Sequence, residues 1–482
     1  MNRDPLVPLV STPFRHYING GWETGATTGL AINPSDLDEP VGEYMRADVR
    51  QTDEAIEAAS AAFREWSQVA AQRRSDSLDA IASELLARRD EIARLLAREV
   101  GKTLSEALVE VTRAGQTFRW FAAQAVRTAA DAVASTRSGV DVEMSREPLG
   151  VVGIIAPWSA PLAIPATQIA AALAYGNCVV FKPAETVPAS ASALASIIGR
   201  AGLPVGAFNL VMGSGRQVGA RIAAHPLVAA LSFSGSAANA RQVSRAGFGR
   251  DARVQVNTGG PNALVVLNDA ALDNAVEAAL VGAYGAAGQR SSASARLIVE
   301  RGVLEPFVDA LTAKLAALHV DHALKRGIAM GPVASAEQLE RTLDYLRVGR
   351  EEGAQLVHGG QRLERATRGY YIAPALLLGE PAHRVAREHL FGPLAVVLSA
   401  DDYEHALHLA NDVPSVVCAG ICTRSLKHAR HFRREAQCGA VTINLPTTAV
   451  DHHVPSGARK GAPYGTDDAV FWTTVKTAYV AG

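Results

Sequence analysis

The sequence predicts an α/β protein built on a parallel, doubly wound sheet, and three observations carry that reading. From Gly150 onward, short apolar runs rich in Val, Ile and Phe alternate with stretches of helical periodicity. The composition is 48% hydrophobic and 20% charged with 41 glycines, which is expected of a soluble folded chain rather than a disordered one. The length, 482 residues, exceeds one ordinary core, so two or three domains are expected.

Charge and cysteine usage narrow the function classes. Lys and Arg number 47 against 48 Asp and Glu, a net charge of −1, which gives no electrostatic case for nucleic acid or an anionic membrane. The first residues carry Pro5, Pro8 and Pro13 without an apolar core, so no signal peptide is expected. No run approaches the ~20 apolar residues of a membrane helix, and a cytoplasmic location is expected. Cys178, Cys418, Cys422 and Cys438 lack partners at metal-binding spacing. Buried free thiols are favoured over a metal site or disulfides.

In chain order, His16 to Trp22 reads as a strand and tight turn. Thr52 to Trp66 places Ile56, Ala59, Phe63 and Trp66 on one helical face, with Thr52 or Asp53 as candidate cap. Arg73 to Leu86 and Arg89 to Val100 repeat that pattern, and Ala107 to Arg127 forms another long helix. Gly101-Lys102-Thr103 looks like the tail of a phosphate loop, but neither the leading glycine nor a preceding strand is present. Ser138 to Glu147 alternates apolar and polar residues, as a half-exposed strand does. A strand to Ala156, a helix from Ile164 to Ala174 and a strand at Cys178 to Phe181 open the β-α-β series. It continues through 189–202, 208–212, 219–225 and 229–233. A second α/β stretch runs from Ala263 to about Val441. The β-rich tail, Phe471 to Val480, can pair with Ser138 to Glu147 in this chain or a neighbour's.

The motifs then become specific. Gly150-Val-Val-Gly-Ile-Ile-Ala-Pro157-Trp158 is followed by Ala174-Tyr-Gly-Asn-Cys-Val-Val-Phe-Lys182-Pro183-Ala184-Glu185. Phe233-Ser-Gly-Ser236, Gly259-Gly260, Gly288-Gln289-Arg290, Phe391-Gly392-Pro393 and Asn444-Leu-Pro446 come after, in order. Together they resemble the aldehyde dehydrogenase superfamily over nearly the whole chain. Within it the chain is most similar to α-ketoglutarate semialdehyde dehydrogenases, through Ala419-Gly-Ile-Cys-Thr, Val450-Asp451, His453-Val454-Pro455 and Thr473-Thr-Val-Lys-Thr-Ala-Tyr.

The resemblance implies a Rossmann-type nicotinamide-cofactor domain at 1–123 and 148–258, an α/β catalytic domain at 259–445, and a β oligomerisation arm at 124–147 and 463–482. It implies a homodimer or homotetramer acting on a small carbonyl or carboxylate compound. The family reaction uses a thiolate nucleophile, an asparagine amide for the oxyanion and a glutamate base. Those roles fall on Ser291, Ser159 and Asn257 here; the alternative is that these three are polar pocket fillers. The cofactor positions fall on Trp158, Lys182, Glu185, Ser236, His389 and Phe391. Lys182 and Glu185 imply NAD, because a carboxylate at Glu185 repels a 2′-phosphate. His389 stands at a ribose-gripping glutamate, so the nicotinamide half reads as degraded, and binding no cofactor is the alternative. Ala240 stands at a motif glycine and is expected to narrow the helix approach. His452 and Ser456 replace aromatic wall residues, and His452 is a candidate acid–base group. Arg113 or Arg119 is a candidate partner for a substrate carboxylate. No metal is expected. The resulting expectation is a repurposed fold doing non-redox chemistry, such as cyclisation, dehydration, isomerisation or hydrolysis. A catalytically silent pseudoenzyme and a weak NAD(P)-dependent semialdehyde dehydrogenase are the alternatives.

Overall fold

Parallel pairing organises both large sheets. The computed structural model describes residues 10–127, 131–451, 453–454, 457 and 469–481. The first seven-stranded sheet runs Arg253–Thr258, Val228–Gly235, Val151–Ile155, Cys178–Lys182, Phe208–Leu210, His16–Ile18, Gly21–Glu23. Its first five strands are parallel, and the last two form an antiparallel edge. Every residue of Val151–Ile155 and Cys178–Lys182 is buried. Helices cover both faces of such strands, which is why they read as continuous apolar runs rather than alternating ones.

The second seven-stranded sheet runs Gln355–His358, Ala375–Leu378, Leu394–Ala400, Ser294–Glu300, Asn262–Val266, Cys418–Cys422, Ala440–Ile443. It is parallel except at the Gln355–His358 edge. Residues 259–261 carry the chain from the carboxyl end of Arg253–Thr258 in the first sheet to the amino end of Asn262–Val266 in the second. The carboxyl edge of one sheet therefore faces the amino edge of the other.

The helical expectations hold in the main, with shifted ends. The first helix is Val49–Trp66, capped by Asp48, whose carboxylate accepts from Gln51 N at 2.8 Å. Thr52 and Asp53 therefore lie inside the helix. The helix expected from Ala107 begins earlier, as Leu104–Ala125, because Thr103 and Glu106 form a capping box. Gly101, with φ of 79°, ends the preceding helix Arg89–Val100. Gly101-Lys102-Thr103 is thus a helix-to-helix joint. Ala240 is buried with Ile155, Phe233 and Val256.

The tail strand Thr473–Ala481 pairs antiparallel with Val140–Pro148 in this same chain, from Thr473 opposite Pro148 to Ala481 opposite Val140. Asp131–Ala134 completes a three-stranded sheet. Beyond Thr473 the tail is exposed, including Val475, Tyr479 and Val480. All four cysteines are buried and unbridged. Among the described residues, no helix is long and apolar enough to cross a membrane, and no group of His, Cys, Asp or Glu is arranged to hold a metal.

Candidate functional site

The loop bearing Ser291 is held by its backbone. Helix Leu272–Tyr284 ends in a tight turn where Ala286 and Ala287 adopt φ of 52° and 53°. At Gly288, φ is 67° and an added Cβ would lie 2.1 Å from the Gly392 carbonyl oxygen, so only glycine fits. Buried Asn262 then clamps the loop. Its Nδ2 donates to the carbonyls of Ser291 at 2.8 Å and Ala293 at 3.0 Å, while its Oδ1 accepts from Val417 N and Cys418 N at 3.0 and 2.9 Å. Thr447 donates to Ser292 O at 2.6 Å. Arg296, fully buried, donates to the carbonyls of Pro261, Leu409 and Ala410 at 2.8, 2.8 and 3.1 Å. Burial pulls its guanidinium down to about 10.

Between the two sheet edges lies a cavity of about 510 Å³. Ser159, Asn257 and Ser291, far apart in sequence, all line it. Strand geometry explains one wall. Side chains alternate faces along a strand, and parallel register sets Ser232 beside Gln255 and Ser234 beside Asn257. These four line the cavity, while the side chains of Phe233 and Val256 pack with Ile155 and Ala240. Gln168, from helix Ala163–Ala174, meets them. Its Nε2 donates to Ser232 Oγ at 2.8 Å and Ser234 Oγ at 3.2 Å, and Gln255 Nε2 also donates to Ser232 Oγ, at 2.8 Å.

Charged groups complete the lining. Lys102 and Glu110 form a buried ion pair, and Glu110 also accepts from Leu162 N and Ala163 N at 3.0 and 3.3 Å. That carboxylate fixes the start of helix Ala163–Ala174, where anions are favoured. Glu106 accepts from Ala286 N at 2.5 Å and lies 3.8 Å from Arg290. Arg113 and Arg290 face the same space, and Asp451 is exposed at its edge. Arg119 is elsewhere: it pairs with Asp79 at 3.0 Å on the outer face of the helix. Cys418 also lines the cavity, its thiol pushed up to about 12 by burial.

The expected cofactor positions fall outside this lining. Lys182 closes its strand, buried, donating to Pro183 O at 2.7 Å; burial pulls it down to about 8, an effect Glu185 partly opposes. Glu185 is half exposed, 3.9 Å from Arg46. Ser236 caps helix Ala237–Phe248, accepting from Asn239 N at 3.3 Å. Trp158 and Phe391 have ring centroids 6.4 Å apart. His389, expected at the nicotinamide ribose, packs its ring against Phe391, with centroids 3.9 Å apart. Its Nδ1 contacts the Gly260 carbonyl, its ring also meets the Arg290 backbone, and burial lowers it to about 4. The ring is turned toward the backbone of its own chain. His452 and Ser456 lie outside the described residues; His453 contacts Trp120 at 5.3 Å between centroids.

Sequence reasoning missed Gln168, Ser232, Gln255, Lys102, Glu110 and Asn262. Ser-x-Ser at 232–234 and Gln-x-Asn at 255–257 are period-2 polar faces on two adjacent strands, a readable signal. Nothing local marked Lys102, Glu110 or Asn262: the Lys102–Glu110 pair acts on Leu162 and Ala163, and Asn262 on Ser291, Ala293, Val417 and Cys418, all distant in sequence.

The chain matches the aldehyde dehydrogenase family over residues 22–477. It is 34% identical to an alpha-ketoglutaric semialdehyde dehydrogenase of Bacillus subtilis, covering 97% of this chain and 98% of that one. It is 33% identical to a succinate-semialdehyde dehydrogenase of Escherichia coli, covering 94% and 95%. Betaine aldehyde dehydrogenase from Staphylococcus aureus, solved in complex with NAD+, superposes with a TM-score of 0.94 at 28% identity over 97% and 95% of the two chains. These relatives correct the expectation of non-redox chemistry and the pseudoenzyme alternative. They are named as dehydrogenases, several of them for semialdehydes, which points to ordinary aldehyde oxidation. With its motifs in order, its two facing sheets and a family match across most of its length, the chain belongs to the aldehyde dehydrogenase family.

Proposed function

We propose that this protein oxidises a semialdehyde carrying a distal carboxylate, with an oxidised nicotinamide dinucleotide as hydride acceptor. The observation that carries the reading is the shared cavity, where Ser159, Asn257 and Ser291 stand with Arg113 and Arg290. Among the described residues no carboxylate pairs with Arg113, so its guanidinium suits a substrate carboxylate.

The residues at the carboxyl edge of the first sheet fit the cofactor. Open α/β sheets bind nucleotides outside the carboxyl ends of their strands. Lys182 and the half-exposed Glu185 stand there, and would hold the adenosine ribose. Glu185 favours NAD over NADP by repelling a 2′-phosphate. Trp158, Ser236 and Phe391 would border the remainder, and the bound cofactor supplies a hydride acceptor.

On the substrate side, Ser159 and Asn257 donate hydrogen bonds to the aldehyde oxygen, and Ser291 stands at the reacting carbon. A serine hydroxyl is hardly ionised near neutral pH, and an asparagine amide takes no proton. Turnover is therefore slow relative to a thiolate enzyme. In this reading 1–123 and 148–258 serve the cofactor and 259–445 serve catalysis. The arm at 124–147 and 463–482 joins subunits through its exposed edge.

The test is reduced-nicotinamide absorbance on mixing protein, NAD and a carboxylate-bearing semialdehyde. Substrate-dependent formation is expected, faster with NAD than NADP. Formation equal to the protein-free blank would exclude the reading.

A further inference from the structure

We propose that the cavity is a receptor for a short dicarboxylate, so that the acid formed in it competes with the next aldehyde. The binding claim stands on the lining itself; calling the ligand a product rests on the oxidation proposed above.

Four side chains of the lining, Arg113, Ser159, Asn257 and Ser291, have no hydrogen-bond or ion-pair partner among the described residues. Arg113, Asn257 and Ser291 are half-buried, within reach of a molecule in the cavity. Arg290 adds a further open group, its side chain 34% exposed. It lies 3.8 Å from Glu106, beyond hydrogen-bond distance. That carboxylate is held instead by Ala286 N at 2.5 Å and by Thr103 N and Oγ1 at 3.1 and 2.9 Å. Guanidinium, amide and hydroxyl groups all donate, so the cavity presents donors in want of acceptors.

That chemistry selects carboxylates over carbonyls. An aldehyde oxygen is one uncharged acceptor. A carboxylate brings two charged oxygens with about four acceptor positions, and hydrogen bonds to it are about twice as strong as neutral ones. Position 257 decides the sign of the interaction. A carboxylate there would repel an incoming acid, whereas the Asn257 amide donates to it. The Ser291 hydroxyl, hardly ionised near neutral pH, adds no opposing charge. Glu106 and Glu110 are negative, but each faces a cation, Arg290 and Lys102. Asp451 is exposed to solvent.

One ligand carboxylate is met by Arg113, on helix Leu104–Ala125, and the other by Ser159, Asn257 and Ser291 with Arg290 beside them. A semialdehyde fills the second place with an uncharged carbonyl. A diacid fills it with a charge, so oxidation turns a weaker ligand into a tighter one. Added diacid is therefore expected to inhibit competitively with the semialdehyde.

Calorimetric titration of the protein without cofactor tests this, with succinate, glutarate and adipate set against butanoate, pentanoate and hexanoate. The best diacid should bind about tenfold tighter than the monoacid of equal length. Asn257→Asp should remove most of that advantage and leave the monoacid, whose carboxylate sits at Arg113, little changed. Arg113→Ala should weaken both. Equal affinity for diacid and monoacid at every length, no diacid binding at millimolar concentration, or an advantage that survives Asn257→Asp would overturn the inference. A thermal melt checks that each variant is folded, and the wild-type ligand series decides the question without them. Reduced nicotinamide formed at a rate unmoved by added diacid would sink the inference and leave the oxidation reading intact. Diacid binding without any such formation would do the reverse.

Discussion

The two sheet edges that face each other across the cavity are built differently. The carboxyl edge of the first presents side chains: Ser232 and Ser234 on one strand, Gln255 and Asn257 on the next, with Gln168 opposite. The amino edge of the second presents a loop whose backbone is fixed. Asn262 alone satisfies four main-chain groups around Ser291, and Arg296 satisfies three carbonyls behind them. The difference teaches that the position of Ser291 is set by groups other than its own side chain. Its chemistry can change without its place changing, whereas the opposite wall changes character with each side chain it displays.

Breaking the backbone clamp should have the largest effect. Asn262→Ala leaves two buried N–H groups and two carbonyls unpaired and should lower unfolding stability by about 3 kcal/mol or more in a urea titration. An equally stable variant would mean the loop does not depend on the clamp. Restoring reactive groups to the fixed frame comes next. Ser291→Cys with Asn257→Glu should raise the oxidation rate about hundredfold, because a thiolate and a carboxylate then occupy places the backbone already holds. No gain would show that the frame has drifted from a productive geometry.

A third effect belongs to the first sheet alone. His16 is fully buried, its Nδ1 accepts from Met212 N at 3.1 Å, and desolvation lowers it from 6.5 to about 4. The unfolded chain therefore binds this proton more readily than the folded one. Stability contributed by neutral His16 is complete above pH 6.5 and is lost as pH falls toward 4, reaching a loss of about 2 kcal/mol at pH 5. Thermal midpoints between pH 7 and 5 should fall, and His16→Gln should flatten that slope. An unchanged slope would assign the acid sensitivity elsewhere. The smallest effect is on selectivity. Arg113→Ala should raise KM about tenfold for a carboxylate-bearing semialdehyde and little for an uncharged aldehyde of equal length. Equal changes for both would remove Arg113 from substrate recognition.

Much of this molecule was legible in its sequence, for identifiable reasons. Continuous apolar runs such as Cys178–Lys182 announce strands buried on both faces, and the motif order located Ser159, Asn257 and Ser291, which share one cavity. Helix ends were less legible. The residues that start Val49–Trp66 and Leu104–Ala125, Asp48 and Thr103, precede the apolar periodicity that reveals a helix. The Lys102–Glu110 pair was hidden because its meaning depends on the start of a helix some fifty residues later, at Leu162 and Ala163. The surroundings of His389 were hidden because its neighbours, Gly260 and Arg290, come from other segments. Three small polar substitutions in a reactive constellation also suggested abandoned redox chemistry. The dehydrogenase relatives correct that inference, since identity at single positions constrains the rate of a reaction more tightly than its class.

The proposed function is oxidation of a carboxylate-bearing semialdehyde in this cavity. The direct measurement is the absorbance of reduced nicotinamide when wild-type protein, NAD and such a semialdehyde are combined. Slow formation that saturates with aldehyde, scales with protein and is abolished by blocking the cavity is the predicted result. Formation indistinguishable from the protein-free mixture, across protein and aldehyde concentrations, would contradict it.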